Sequence, residues 1–184
     1  MCTGRKLMII DRMEIKMSIT MKNEWFSLCA GLLLIGLGAM ACDKAPSESI
    51  DVTLKDYGAE PTVLNIEAYT LSNSNFRTTL WTGKYLQATL MTIPVGGDVG
   101  LEQHPDTDQF LRIEEGTAKV LMGDTEDSLT FTKTAGKDFA IFVPAGKWHN
   151  IINTGDVPLK LYSIYSPTEH PHGTVHRTQK DDVH

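Results

Sequence analysis

Two turn-rich segments, each carrying metal-ligand side chains and separated by strand-like sequence, constrain this chain more than any other feature. The first runs Gly96, five residues, Glu102-Gln103-His104, four residues, Gln109, six residues, Gly116. The second runs Pro144-Ala145-Gly146-Lys147-Trp148-His149, with Asn153 four residues past the histidine. Carboxylate and imidazole are metal donors, and glycine and proline mark chain reversals. One site assembled from two hairpins of a small β-barrel is the arrangement that brings these residues together.

The residues around them support that reading. From Thr62 onward the pattern is strand-like, with little helical periodicity. Candidate strands are 62–71, 85–93, 109–113, 117–122, 128–133, 139–143, 148–153 and 158–165. Glu114-Glu115-Gly116, Pro144-Ala145-Gly146 and Asn153-Thr154-Gly155-Asp156 read as hairpin turns, and 123–127 as a polar loop. Residues 72–84 fit a short helix or loop, and 166–184 read as irregular and polar. Many short strands broken by turn signals predict an all-β sandwich or barrel.

Parity refines the site. Glu102 and His104 are two apart and face one side of a strand. Gln109 has the opposite parity, so it joins them only if Pro105-Asp106-Thr107-Asp108 breaks the alternation, which suits that composition. Beyond the break, Leu111 and Ile113 share the face of Gln109. His149, Ile151 and Asn153 share a face of their own strand. Asp106 and Asp108 are read as turn formers, and Trp148 as a packing residue.

Charge and cysteine use exclude several classes. The 184 residues hold 17 Lys+Arg against 23 Asp+Glu, a net charge of -6. That balance argues against nucleic-acid binding, which needs a basic face. The three cysteines are Cys2, Cys29 and Cys42, so the chain after Cys42 has no disulfide framework, cysteine nucleophile or thiolate metal site. No phosphate-cradling glycine loop, serine nucleophile elbow or dinucleotide fingerprint is visible.

The N-terminal quarter reads as an address. Trp25 to Ala41 is uncharged and apolar, shorter than the about 20 residues a spanning helix needs, and ends in small residues before Cys42. Residues 1–41 are read as a mis-assigned start, with Met17 or Met21 as the true one, plus a signal peptide. Small residues before a cysteine resemble the lipobox of bacterial lipoproteins, although Ala39 stands where leucine is usual. The expected product is a cell-envelope lipoprotein anchored through lipid on Cys42. Cleavage after Ala39-Met40-Ala41 to release a soluble periplasmic or secreted protein, or a retained membrane helix, are the alternatives. Residues 42–58 are then a polar tether, 59–168 the barrel, and 169–184 a polar tail with His170, His172 and His176. That cluster is an exposed tail, a lid over the barrel mouth or an accessory metal site.

The spacings of both motifs resemble those of the cupin family. The resemblance covers roughly residues 60–166 and implies a single-domain double-stranded β-helix (jelly-roll) barrel. By position it implies Glu102, His104, Gln109 and His149 as metal ligands, with Glu where the family's first histidine stands and Gln where its glutamate stands. Asp138 occupies the place of the second motif's opening glycine. Two imidazoles, a carboxylate and an amide oxygen suit Fe, Mn, Ni or Zn without choosing between them. The implied function is a metal-dependent enzyme on a small polar substrate, a sugar or an organic acid, by isomerase-like or dioxygenase-like chemistry. Glu102 is the candidate catalytic base. A non-catalytic, envelope-tethered binding protein is the alternative, and metal content separates the two. The expected partner is a small molecule, with membrane contact only through the lipid anchor and a homodimer left open.

Overall fold

The computed structural model describes residues 51–182, so the segment read as a signal peptide, Cys42 and the first part of the segment read as a tether lie outside the described residues. Ten strands follow one short helix: α1 (Ile66–Ser72), β1 (Arg77–Thr82), β2 (Gln87–Ile93), β3 (Glu102–Gln103), β4 (Asp108–Glu115), β5 (Thr117–Gly123), β6 (Phe131–Gly136), β7 (Ala140–Val143), β8 (Trp148–Asn153), β9 (Leu159–Ser166) and β10 (Val175–His176). They form two antiparallel sheets. One has six strands in the order β10-β1-β2-β9-β4-β7, the other four in the order β3-β8-β5-β6. This is the all-β jelly roll that the family resemblance implies.

Alternation along the strands makes the core. Met91, Leu111, Ile113, Ile141, Val143 and Leu161 from the six-stranded sheet meet Ala118, Val120, Met122, Ala135 and Ile151 from the other. Leu111, Ile113, Ile151 and Leu161 are fully buried. Each such side chain contributes about 1.5–3 kcal/mol by leaving water. A second, smaller cluster centres on Tyr69, Leu80 and Leu90, with Ile66 and Tyr162 packed against it. Leu90 neighbours the inward-facing Met91 and so faces the other way; α1 covers this outer side of the sheet. Val52, Leu54 and Tyr57 join the same cluster, so the chain is already packed within the segment read as a polar tether.

Three sequence readings are corrected. Residues 62–71 are not a strand, because Asn65 Oδ1 accepts the amide of Ala68 at 3.0 Å and caps α1. Ile66, Tyr69 and Thr70 then share a helical face, a spacing that alternation masked. Residues 72–84 hold β1 rather than only a helix or loop. All three turns read as hairpins instead carry the chain between sheets: Gly116 links β4 to β5, Pro144-Ala145-Gly146 links β7 to β8, and 154–158 links β8 to β9. The loop after β5, by contrast, closes a true hairpin onto β6, as 83–86 does between β1 and β2. Turn residues mark where a chain reverses, and partner choice is set by the two-sheet topology.

Asp138 explains the glycine it replaces. Its φ is +69°, in the left-handed region that favours glycine. The aspartate holds that conformation while its Oδ1 accepts from Arg112 Nη2 at 2.6 Å, and short polar side chains tolerate αL best after glycine.

Candidate metal centre

The two motifs meet through backbone contacts. β3 pairs with β8 so that Glu102 lies opposite His149 and Gln103 opposite Trp148. Paired residues of antiparallel strands face the same side, which puts the Glu102 carboxylate beside the His149 ring. The turn before β8 is fastened to β3 as well. Gly146 N–H donates to the His104 carbonyl at 2.8 Å, and Gln103 Nε2 donates to the Gly146 carbonyl at 2.8 Å. Asp108 Oδ1 accepts from Ala145 N–H at 2.9 Å, so this aspartate holds the turn. The left-handed φ of Gly146, +76°, is the price of that turn.

Glu102 Oε1 stands 3.3 Å from His104 Nε2 and 3.3 Å from His149 Nε2. All three residues are buried, with exposures of 9%, 5% and 1%. Among the described residues they form the one group of three or more carboxylate, imidazole or thiol side chains whose donor atoms converge, here within 4.8 Å of one another.

The far side of each ring sets its tautomer. His149 Nδ1 lies 3.1 Å from the carbonyl of Lys147, which only accepts, so Nδ1 carries the proton and Nε2 presents a lone pair. That Nε2 is buried and makes no hydrogen bond. His104 Nδ1 lies 3.1 Å from Glu169 Oε1, and Thr107 Oγ1 donates to the other oxygen of Glu169 at 3.0 Å. Burial pulls the pKa of His104 down, but the hydrogen bond and charge of Glu102, with the charge of Glu169, outweigh it and leave the ring more basic than usual. A site that draws a proton this way also suits a cation.

Gln109 lies on the opposite wall. It pairs in register with Tyr165 of β9 and Val143 of β7, and so faces the barrel interior with both. The predicted break at 105–108 separates β3 from β4 and moves the chain to the other sheet, which resolves the parity of Gln109. Its Nε2 donates to Ser163 Oγ at 3.0 Å, while Oε1 is buried without a partner. The Tyr165 ring stands edge-on to His104, centroids 5.6 Å apart at 89°. Burial pushes the Tyr165 hydroxyl up to about 12, so it is a neutral phenol.

These residues fit a divalent cation. The converging set offers two imidazole nitrogens and one carboxylate, and the Gln109 amide faces the same interior from the other sheet. Two of those atoms, His149 Nε2 and Gln109 Oε1, are buried acceptors that no protein donor satisfies. Asn153 plays a different part. Its Nδ2 donates to the carbonyls of Ile93 and Val157, and its Oδ1 accepts from Gly155 N–H, so it builds the turn after β8.

The tail residues take separate places. His170 is buried against Tyr165, centroids 5.3 Å apart at 86°. His172 is exposed, 3.6 Å from Asp56, and His176 lies 2.9 Å from Asp182. Glu169 was not singled out by sequence reasoning. It sits beyond both motifs, and only its neighbour His170 hinted that the tail bears on the site.

A two-sheet jelly roll with carboxylate and imidazoles converging inside it defines a cupin, and the chain belongs to that family. The family model described as Cupin domain matches residues 89–165. YrkC of Bacillus subtilis (strain 168), an uncharacterized protein, is 57% identical over 136 residues, 74% of this chain and 73% of that protein. The crystal structure of BH2720 from Bacillus halodurans superposes with a TM-score of 0.69 at 57% identity, covering 69% of this chain and 96% of that one. An uncharacterized conserved protein with a double-stranded β-helix domain from Klebsiella pneumoniae shares the fold at 15% identity, with a TM-score of 0.50 over 65% of this chain and 100% of that one.

Proposed function

We propose that this cupin holds one divalent metal ion through His104, His149 and Glu102, with Gln109 as a neutral fourth donor, and acts enzymatically on a small polar molecule. The convergence of both Nε2 atoms on one buried carboxylate oxygen carries this reading. A bound ion supplies Lewis-acid polarisation of a carbonyl or hydroxyl, and O₂ binding where it is iron. The chain's own part is to fix the donors, exclude water and move a proton. Where Glu102 stands free of the ion, it is the alternative candidate to take one, because it is ionisable and lies between two imidazoles.

The character of the inner wall supports a hydroxylated substrate, a sugar or an organic acid. Tyr165 Oη, Thr89 Oγ1 and Gln109 Oε1 are all buried without hydrogen-bond partners. Thr89 pairs with Ser163, whose hydroxyl meets Gln109, and Gln109 pairs with Tyr165. Hydroxyl groups both donate and accept, and so would satisfy such a mixed set. Isomerisation and dioxygenation are the reaction classes in keeping with it.

Elemental analysis of protein purified without a His tag is the direct test. The expected result is one Fe, Mn, Ni or Zn per chain, restored after chelation by adding back the ion. A protein that takes up none of the four would leave the non-catalytic, small-molecule-binding cupin as the reading.

We also propose that the mature protein is lipidated at Cys42. The apolar run ending in small residues before the last cysteine supports this. Wild type is expected in the membrane fraction and Cys42→Ser in the soluble fraction. Equal soluble partition of both would remove the anchor.

A further inference from the structure

The C-terminal tail reaches into the site through one side chain. Glu169 stands with Oε1 3.1 Å from His104 Nδ1, and its other oxygen accepts from Thr107 Oγ1. Its backbone is clamped separately. Gln87, fully buried on β2, donates from Nε2 to the carbonyl of His170 at 2.7 Å. Its Oε1 accepts from the amides of His170 at 2.9 Å and Glu169 at 3.3 Å. The His170 ring packs on one side of Tyr165, whose ring meets His104. The buried Gln87 amide thus fixes the main chain at this residue, while Thr107 and His104 hold its carboxylate. A side chain that served only to solubilise a polar tail would need none of this.

We infer that Glu169 is a positioning residue of the metal centre: its carboxylate holds the Nδ1 proton of His104 and thereby presents Nε2 as the donor atom. The inference rests on the proposed metal site. The chemistry is that of a carboxylate behind a metal-binding imidazole. It fixes the ring's tautomer and rotation, and it makes Nε2 a stronger donor. The two histidines are held differently. His149 leans on a backbone carbonyl within its own strand's turn, which every variant keeps. His104 leans on a charged group from a segment 65 residues away in sequence. The tail is therefore part of the site, and its placement tunes one ligand without touching the other.

The test uses the full chain and Zn(II) as the probe, with affinity read by competition against a chromophoric chelator. Glu169→Ala is expected to weaken Zn(II) binding about 10–100-fold, the range found for such outer partners. Glu169→Gln keeps an accepting oxygen but loses the charge, and should fall between that variant and wild type. Proton–nitrogen NMR of the Zn(II)-loaded protein supplies a readout that a merely structural role would not move. In wild type the Nδ1 proton of His104 should be downfield and slow to exchange. In Glu169→Ala that signal should move and exchange quickly, while the Nδ1 proton of His149 stays as an internal reference. Should Glu169→Ala fail to fold, the near-isosteric Glu169→Gln carries the test by itself. Affinities equal to wild type in the folded variants, with the His104 signal unmoved, would overturn the inference and leave the metal reading standing. Wild type that binds no Zn(II) or other divalent ion would overturn the metal reading and this inference with it.

Discussion

Replacing His149 with alanine should abolish stoichiometric metal uptake while the barrel stays folded. His149 is 1% exposed, and its polar and ring partners are a carbonyl of its own turn, the Glu102 carboxylate and the His104 ring. The core that holds the sheets together lies elsewhere, in Leu111, Ile113, Ile141, Val143 and Ile151. Ile141→Ala should therefore do the opposite. A buried large-to-small change costs about 2–5 kcal/mol, a drop of roughly 10 °C in Tm for a domain of this size. Its metal affinity should change little while it remains folded. The melts must compare metal-free forms, because a bound ion stabilises whichever variant still binds it. If His149→Ala unfolds the protein and Ile141→Ala leaves the melt unchanged, the histidine is structural and the site assignment fails.

The architecture was legible because its signals are long-range and independent. A run of alternating strands predicts an all-β fold, and two motifs with separate internal spacings carry the family resemblance that implies a jelly roll, whatever the individual boundaries do. What alternation missed was local. Asn65 caps a helix that a strand pattern hid, and β1 lay in a segment rich in threonine and polar residues with no clean period. The site was legible where the donors lie within the motifs. Glu102, His104 and His149 converge, and Gln109 faces inward from the other sheet. Glu169 was not legible, since nothing in a polar tail announces that a buried glutamine on β2 will fasten it over the barrel. A contact of that kind comes from the tertiary fold and has no local signature.

The same tail carries the second large expected effect. Arg77 is fully buried on β1, and its Nη1 lies 2.7 Å from Asp182 Oδ1, itself only 4% exposed. Nη2 reaches the Met91 sulfur at 3.9 Å, the guanidinium lies 5.8 Å from the Phe76 ring centroid, and Nε has no hydrogen-bond partner. A guanidinium cannot shed its charge in a protein. Asp182→Ala should therefore leave a buried cation without its carboxylate, at a cost of about 3–5 kcal/mol. Replacing both groups, as Arg77→Met with Asp182→Ala, should recover most of that loss, since an apolar pair of similar volume needs no compensation. Denaturant midpoints of the two variants read the difference. The consequence extends to the site. Arg77 pairs in register with His176 of β10, and the His176 ring also meets Asp182 at 2.9 Å, so this ion pair fastens the strand that ends the loop bearing Glu169. Amide exchange in 169–176 should rise in Asp182→Ala before the core strands β4 and β8 respond. A single variant whose midpoint and tail exchange both match wild type would show that the buried pair does not hold the tail in place.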